Sequence, residues 1–136
     1  MSHILVVDDE PADLNLARRA LEKQEHKVLA AETAKEAIHH LRNSQVDVVV
    51  LDVMLPDGHG LDVLRKIRDF DKHLPVILLT SSSDSSTAIR AMKHGALDYF
   101  LKPIDVAELR SVVGRAIEIR RLTEAPVEIA VDTGKS

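Results

Sequence analysis

The sequence predicts an α/β fold, a doubly wound five-stranded parallel sheet with strand order 2-1-3-4-5. Three observations point to it. Short apolar runs alternate with amphipathic stretches along the chain, and strand–helix–strand connections of this kind build a parallel sheet with helices on both faces. The strongest run, Val46-Asp47-Val48-Val49-Val50-Leu51-Asp52, is apolar almost throughout, as a strand covered on both faces must be. Four runs also end in polar or charged residues, at Asp8-Asp9, Asp52, Thr80 and Lys102, and strand ends are where open α/β sheets place their ligands.

The first strand is expected at His3–Val7, followed by Pro11, which suits the first turn of a helix because its missing N–H costs nothing there. Leu14, Ala17 and Leu21 recur at helical spacing opposite Arg18, Arg19, Glu22 and Lys23. His26–Ala31 reads as a weaker second strand. Thr33-Ala34-Lys35-Glu36 has the form of a capping box and opens a helix with Ala34, Ala37, Ile38 and Leu41 inward. After the Asp52 strand, Pro56-Asp57-Gly58 makes a loop, and Gly60–Phe70 is a helix burying Val63, Leu64 and Ile67. Leu74–Leu79 is the fourth strand, with Pro75 at its start, where proline is tolerated. A serine-rich loop leads into a helix through Ala88, Ile89 and Met92 that stops at Gly95. Asp98–Leu101 is the fifth strand. Asp105-Val106-Ala107-Glu108 starts the last helix, with Leu109, Val112, Val113, Ala116 and Ile117 on one side. Residues 1–122 are expected to form one domain, and 123–136 a linker or disordered tail.

Composition narrows the function. A chain of 136 residues with 45% hydrophobic content supports one domain with a real core. It carries no apolar run of membrane-spanning length and no secretory signal, and the absence of cysteine excludes disulfide and thiolate chemistry. A cytoplasmic location is expected. The net charge of -4 and only three aromatics, Phe70, Tyr99 and Phe100, argue against direct nucleic-acid binding.

In a parallel sheet of this order, Asp8, Asp9, Asp52, Thr80 and Lys102 meet at one edge. Carboxylates so close repel one another unless they are protonated or bound to a cation, and an all-oxygen donor set suits Mg²⁺. With the cation present, Asp52 can remain ionised and act as an oxygen nucleophile toward a phosphoryl group. Lys102 and Thr80 are placed to neutralise and hydrogen-bond the transferring oxygens.

Val6-Val7-Asp8-Asp9-Glu10, Leu51-Asp52-Val53-Met54-Leu55-Pro56, Leu78-Leu79-Thr80-Ser81 and Lys102-Pro103, in that order, resemble the receiver domain of bacterial two-component response regulators over roughly residues 3–122. The resemblance implies the flavodoxin-like (βα)5 fold and a phosphorylation-dependent signalling switch. Asp52 would be the phosphoacceptor, served by a sensor histidine kinase or phosphotransfer protein. Asp9, Asp52 and the Met54 backbone carbonyl would bind Mg²⁺ directly, and Asp8 would bind it through a water. Lys102 would contact the phosphoryl group, and the Lys102-Pro103 bond would be cis. Thr80 and Tyr99 would form the switch, and the fourth helix, fifth strand and fifth helix the responding face and a possible homodimer surface. The domain would catalyse only its own modification, with no membrane association.

Some details set this chain apart. His59 stands where the family often has an acidic residue or Asn. Met54 and Ser82 occupy positions that tune attack by water, and the apolar Met54 predicts slow self-dephosphorylation. The stretch Ala91–Tyr99 and the extension Arg115–Leu122 resemble receivers of enhancer-binding transcription activators. Ile119, Arg120, Arg121 and Leu122 exceed what the core requires, which favours a linker or dimer helix. An aspartyl phosphohydrolase would need a second acid where Met54 stands and a cap domain over its substrate. A flavin or nucleotide carrier would need a glycine-rich loop after the first strand. The seven histidines show no metal-ligand spacing, and His39-His40 reads as a solvated face. Gly134-Lys135-Ser136 lacks the earlier glycine and following helix of a phosphate loop.

Overall fold

Alternate residues of a strand point to opposite faces, and here both faces find an apolar layer. A computed structural model describes residues 2–81 and 85–123. Its strands β1 (His3–Val7), β2 (Lys27–Ala31), β3 (Val48–Asp52), β4 (Val76–Thr80) and β5 (Asp98–Leu101) form one parallel sheet in the order β2-β1-β3-β4-β5. Leu5, Val7, Val49, Leu51, Val76 and Leu78 pack on one side with Ala37, Leu64, Ile67 and Ala91, from α2 (Ala34–Asn43), α3 (Gly60–Phe70) and α4 (Ser85–Lys93). Ile4, Val6, Val48, Val50, Ile77 and Leu79 face the other way, toward Leu14, Ala17 and Leu21 of α1 (Pro11–Glu22) and Leu109, Val112 and Val113 of α5 (Val106–Thr123). This double coverage is why the central strands read as continuous apolar runs.

Most boundaries fall within two residues of those expected. The Thr33 hydroxyl accepts from the Glu36 N–H at 3.0 Å, as the capping box predicts, but the Glu36 carboxylate reaches back to the Glu32 N–H at 2.7 Å. Asp105 accepts from the Glu108 N–H at 3.1 Å and so caps α5. Gly95 has φ of +88°, the left-handed conformation in which a helix-ending glycine is favoured. Two features add to the expected elements. The segment after Asp52 includes a two-residue hairpin, Met54–Leu55 against Gly58–His59. In α4, Ile89 and Met92 are exposed, while Thr87 and Ala91 are its buried contacts. Ile89 and Met92 therefore form part of the surface.

The extension of α5 is tied to the domain. Arg120 donates to Asp71 in a two-pronged pair, at 2.9 Å to Oδ2 and 3.3 Å to Oδ1, linking the helix to the segment between α3 and β4. Ile119 and Leu122 beside it remain exposed. Among the described residues, no helix is long and apolar enough to cross a membrane. Ser82 and the segment 124–136, Gly134-Lys135-Ser136 included, lie outside the described residues.

Candidate phosphoryl-acceptor and cation site

The carboxyl ends of β1, β3 and β4 and the residue after β5 meet as their parallel register requires. Thr80 is the last residue of β4 and pairs with Leu101, so Lys102 follows directly beside it; the Lys102 N–H donates to the Thr80 carbonyl at 2.7 Å. The Lys102-Pro103 bond is cis. Asp52 closes β3 opposite Leu79 and is 5% exposed; Asp8 and Thr80 are each 1% exposed, and Asp9 is open to solvent. These are the residues expected at the site, and the fold brings them together.

The Lys102 ammonium lies 2.8 Å from Asp8 Oδ2, 3.1 Å from Asp13 Oδ2 and 3.4 Å from Asp52 Oδ2. Asp13, in the first turn of α1, was not anticipated. Its signal was available, since it follows Asp8-Asp9 on a helix that begins at Pro11, but a first-turn acid is common for the helix dipole alone. Burial would by itself lower the Lys102 pKa. Hydrogen bonds to Asp8 and Asp13 and the charges of Asp52 and Asp8 outweigh it and hold the ammonium firmly protonated.

Burial pushes the Asp52 carboxyl up to about 6 from 3.8; the Asp8 charge adds to this, while Lys102 and the Met54 N–H, 3.4 Å from Oδ1, oppose it. Asp8, Asp9 and Asp52 each offer an oxygen, all within 4.8 Å of one another. Asp8 Oδ2 is buried, and the Lys102 ammonium 2.8 Å away is the charge beside it. Clustered oxygens with a raised carboxyl among them fit a divalent cation with oxygen preference.

The loop after Asp52 is drawn tightly against the strand. A side chain at Gly60 would place its Cβ 2.6 Å from the Asp52 carbonyl oxygen and 2.8 Å from the Val53 Cα, which explains a glycine there. His59 caps α3, its Nδ1 accepting from the Leu61 N–H at 3.1 Å, so imidazole does the work an acidic residue or Asn would do. The Met54 side chain is 60% exposed beside the site. Tyr99 packs against the core, with its hydroxyl buried and without a hydrogen-bond partner among the described residues.

The family model for the response regulator receiver domain matches residues 4–114. The chain belongs to that family. It is 36% identical over 126 residues to the response regulator protein PilR of Pseudomonas aeruginosa, and 33% identical over 124 residues to the transcriptional regulatory protein ZraR of Klebsiella oxytoca. Each alignment takes in 91% of this chain but 28% of the relative, so the chain spans little more than a quarter of those proteins. Among solved structures, a response regulator receiver domain from Clostridium thermocellum superposes with a TM-score of 0.85 at 35% identity, covering 90% of this chain and 99% of that one.

Proposed function

We propose that this domain is a phosphorylation-dependent signalling switch that accepts a phosphoryl group on Asp52 from a sensor histidine kinase or phosphotransfer protein. The observation that carries the reading is Asp52 itself, a buried strand-end carboxylate with Asp8 on one side and the Lys102 ammonium 3.4 Å away. In this reading residues 1–122 are the receiver and 123–136 a linker or tail.

Asp9, Asp52 and the Met54 backbone carbonyl would hold Mg²⁺, with Asp8 acting through a water. When bound, the cation supplies positive charge for the phosphoryl oxygens. The chain's own residues do the rest. An ionised Asp52 oxygen attacks phosphorus while the bond from phosphorus to the donor's imidazole nitrogen breaks; the nitrogen keeps the bonding pair and then takes up a proton. Lys102, already gathered among the carboxylates, neutralises charge on the transferring oxygens, and Thr80 donates a hydrogen bond to them. The chemistry modifies the domain itself.

The acyl phosphate adds a second negative charge and strong acceptors at the strand end. Thr80 and Tyr99 carry this to the face made by α4, β5 and α5, where Ile89, Met92 and Leu101 are each at least half exposed. That apolar surface supports a homodimer or a docked effector, and the likeness to the transcriptional regulatory protein ZraR, together with the resemblance to receivers of enhancer-binding activators, supports a transcriptional effector. The domain itself would bind neither nucleic acid nor membrane. Two outcomes are expected. Tyr99→Phe leaves phosphorylation unchanged and weakens phosphorylation-dependent dimerisation in sedimentation; unchanged dimerisation would remove the hydroxyl from the switch. The Met54 side chain cannot orient a water for attack, so the phosphoryl group persists for minutes or longer at neutral pH, and decay within seconds would contradict this. The overall reading is tested with acetyl phosphate: an intact-mass gain of about 80 Da that requires Mg²⁺ is expected. No gain from acetyl phosphate or from a phosphohistidine donor would sink it.

A further inference from the structure

The hairpin after Asp52 is tied to a helix that takes no part in the site. At its tip, Asp57 accepts from the Ala34 N–H at 2.7 Å through Oδ1 and from the Lys35 N–H at 3.0 Å through Oδ2. These are the first two amides of α2, which the helix cannot satisfy itself. The third, at Glu36, is taken by Thr33. One helix end is thus capped twice, once by its own preceding residue and once by a residue 22 and 23 positions away. The bonds hold the Asp57 carboxyl below its ordinary pKa, so it is a charged acceptor at neutral pH.

The geometry places this cap where it bears on the site. The hairpin pairs Met54 with His59 and Leu55 with Gly58, and Asp57 follows Pro56 at the turn. At the base, the Gly60 N–H donates to the Val53 carbonyl and the chain returns flush against the Asp52 backbone. Gly58 packs toward α2, since a Cβ there would lie 4.0 Å from the Ala34 Cβ. The strap carrying the Met54 carbonyl is therefore held at its base by the sheet, at Leu55 by burial in the core, and at its tip by the bonds of Asp57.

We propose that Asp57 is a positioning residue that pre-organises the Asp52–Met54 segment for its cation by anchoring the hairpin tip to the N-terminus of α2. The proposal rests on the reading of Asp52 and the Met54 carbonyl as cation ligands. It also couples α2 to the site, because the Ala34 and Lys35 amides are bonded to the hairpin that carries the Met54 carbonyl.

The test is a titration with MgCl₂ alone, followed by amide chemical shifts, beside Mg²⁺-dependent labelling by acetyl phosphate. In wild type, the Ala34 and Lys35 amides shift with the same midpoint as Val53 and Met54. Asp57→Ala is expected to raise that midpoint about three- to tenfold and to silence the Ala34 and Lys35 response, leaving the labelling rate at saturating Mg²⁺ within about twofold. Asp57→Asn, which keeps an acceptor, recovers part of the affinity. Thr33→Ala, which removes the local cap from the same helix end, leaves the midpoint unchanged. A wild-type midpoint in Asp57→Ala, or an equal shift in Thr33→Ala, overturns the proposal. Absence of any Mg²⁺ response at Val53 and Met54 in wild type overturns the underlying cation-site reading instead.

Discussion

Lys102→Met is expected to slow phosphorylation of Asp52 by about 100-fold while tightening Mg²⁺ binding, two effects of opposite sign from one missing charge. The slowing follows because no other side chain cation lies among Asp8, Asp13 and Asp52 in the described site. The tightening follows because the ammonium, 2.8 Å from Asp8 and 3.4 Å from Asp52, competes electrostatically with a cation held by the same carboxylates. About tenfold higher Mg²⁺ affinity corresponds to about 1.4 kcal/mol. Without Mg²⁺ the variant is also less stable at pH 8, by about 3 kcal/mol, since removing one partner of a buried charge cluster leaves the others uncompensated. The deficit shrinks toward pH 5 as Asp52, whose carboxyl is raised to about 6 in the folded domain, takes up its proton. Calorimetric Mg²⁺ titration and phosphorylation kinetics on one sample check the pair of signs. Loss of both affinity and rate would mean that Lys102 organises the site rather than competing within it.

Asp52→Asn is expected to stabilise the metal-free domain, by an amount that grows with pH. Below pH 3.8 the carboxyl is protonated in folded and unfolded chains alike, so it carries no penalty. Between 3.8 and about 6 the unfolded chain loses the proton while the folded chain retains it, and folding becomes less favourable as pH rises. Above about 6 the full penalty applies, and the gap between 3.8 and about 6 corresponds to about 3 kcal/mol. Asn has no such titration. Its advantage in thermal midpoint should be near zero at pH 4 and about 10 °C at pH 7.5. Saturating Mg²⁺ narrows or reverses the difference, because it stabilises the form whose carboxylate it binds. A midpoint difference independent of pH would show that Asp52 is not strained by burial and its neighbours.

The fold was legible because the two apolar layers write themselves into β1, β3 and β4 as unbroken apolar runs, and because Pro11, Thr33, Gly95 and Asp105 mark helix ends by local chemistry. The strand-end residues Asp8, Asp9, Asp52, Thr80 and Lys102 could be placed once the strand order was assumed, since parallel register alone brings them together. What stayed hidden depends on side chains crossing between elements. Asp13 reaches Lys102 from a helix face indistinguishable in sequence from an ordinary acidic first turn. Asp57 looks like a turn residue and is one, but its partners lie on α2. Arg120 reads as part of a linker or dimer helix beyond the core, yet it pairs with Asp71 across the domain. The exposure of Ile89 and Met92 was equally unreadable, because helical spacing gives a face without saying what covers it.

The central claim is that Asp52, among three neighbouring carboxylates, receives the phosphoryl group. Its most direct test is to phosphorylate the wild-type domain with acetyl phosphate and Mg²⁺, reduce the acyl phosphate with borohydride, and locate the resulting homoserine by tandem mass spectrometry. Homoserine at position 52, absent from a sample prepared without Mg²⁺ and from Asp52→Asn, is the predicted result. Homoserine at position 8 or 9 in the wild-type protein would contradict the account.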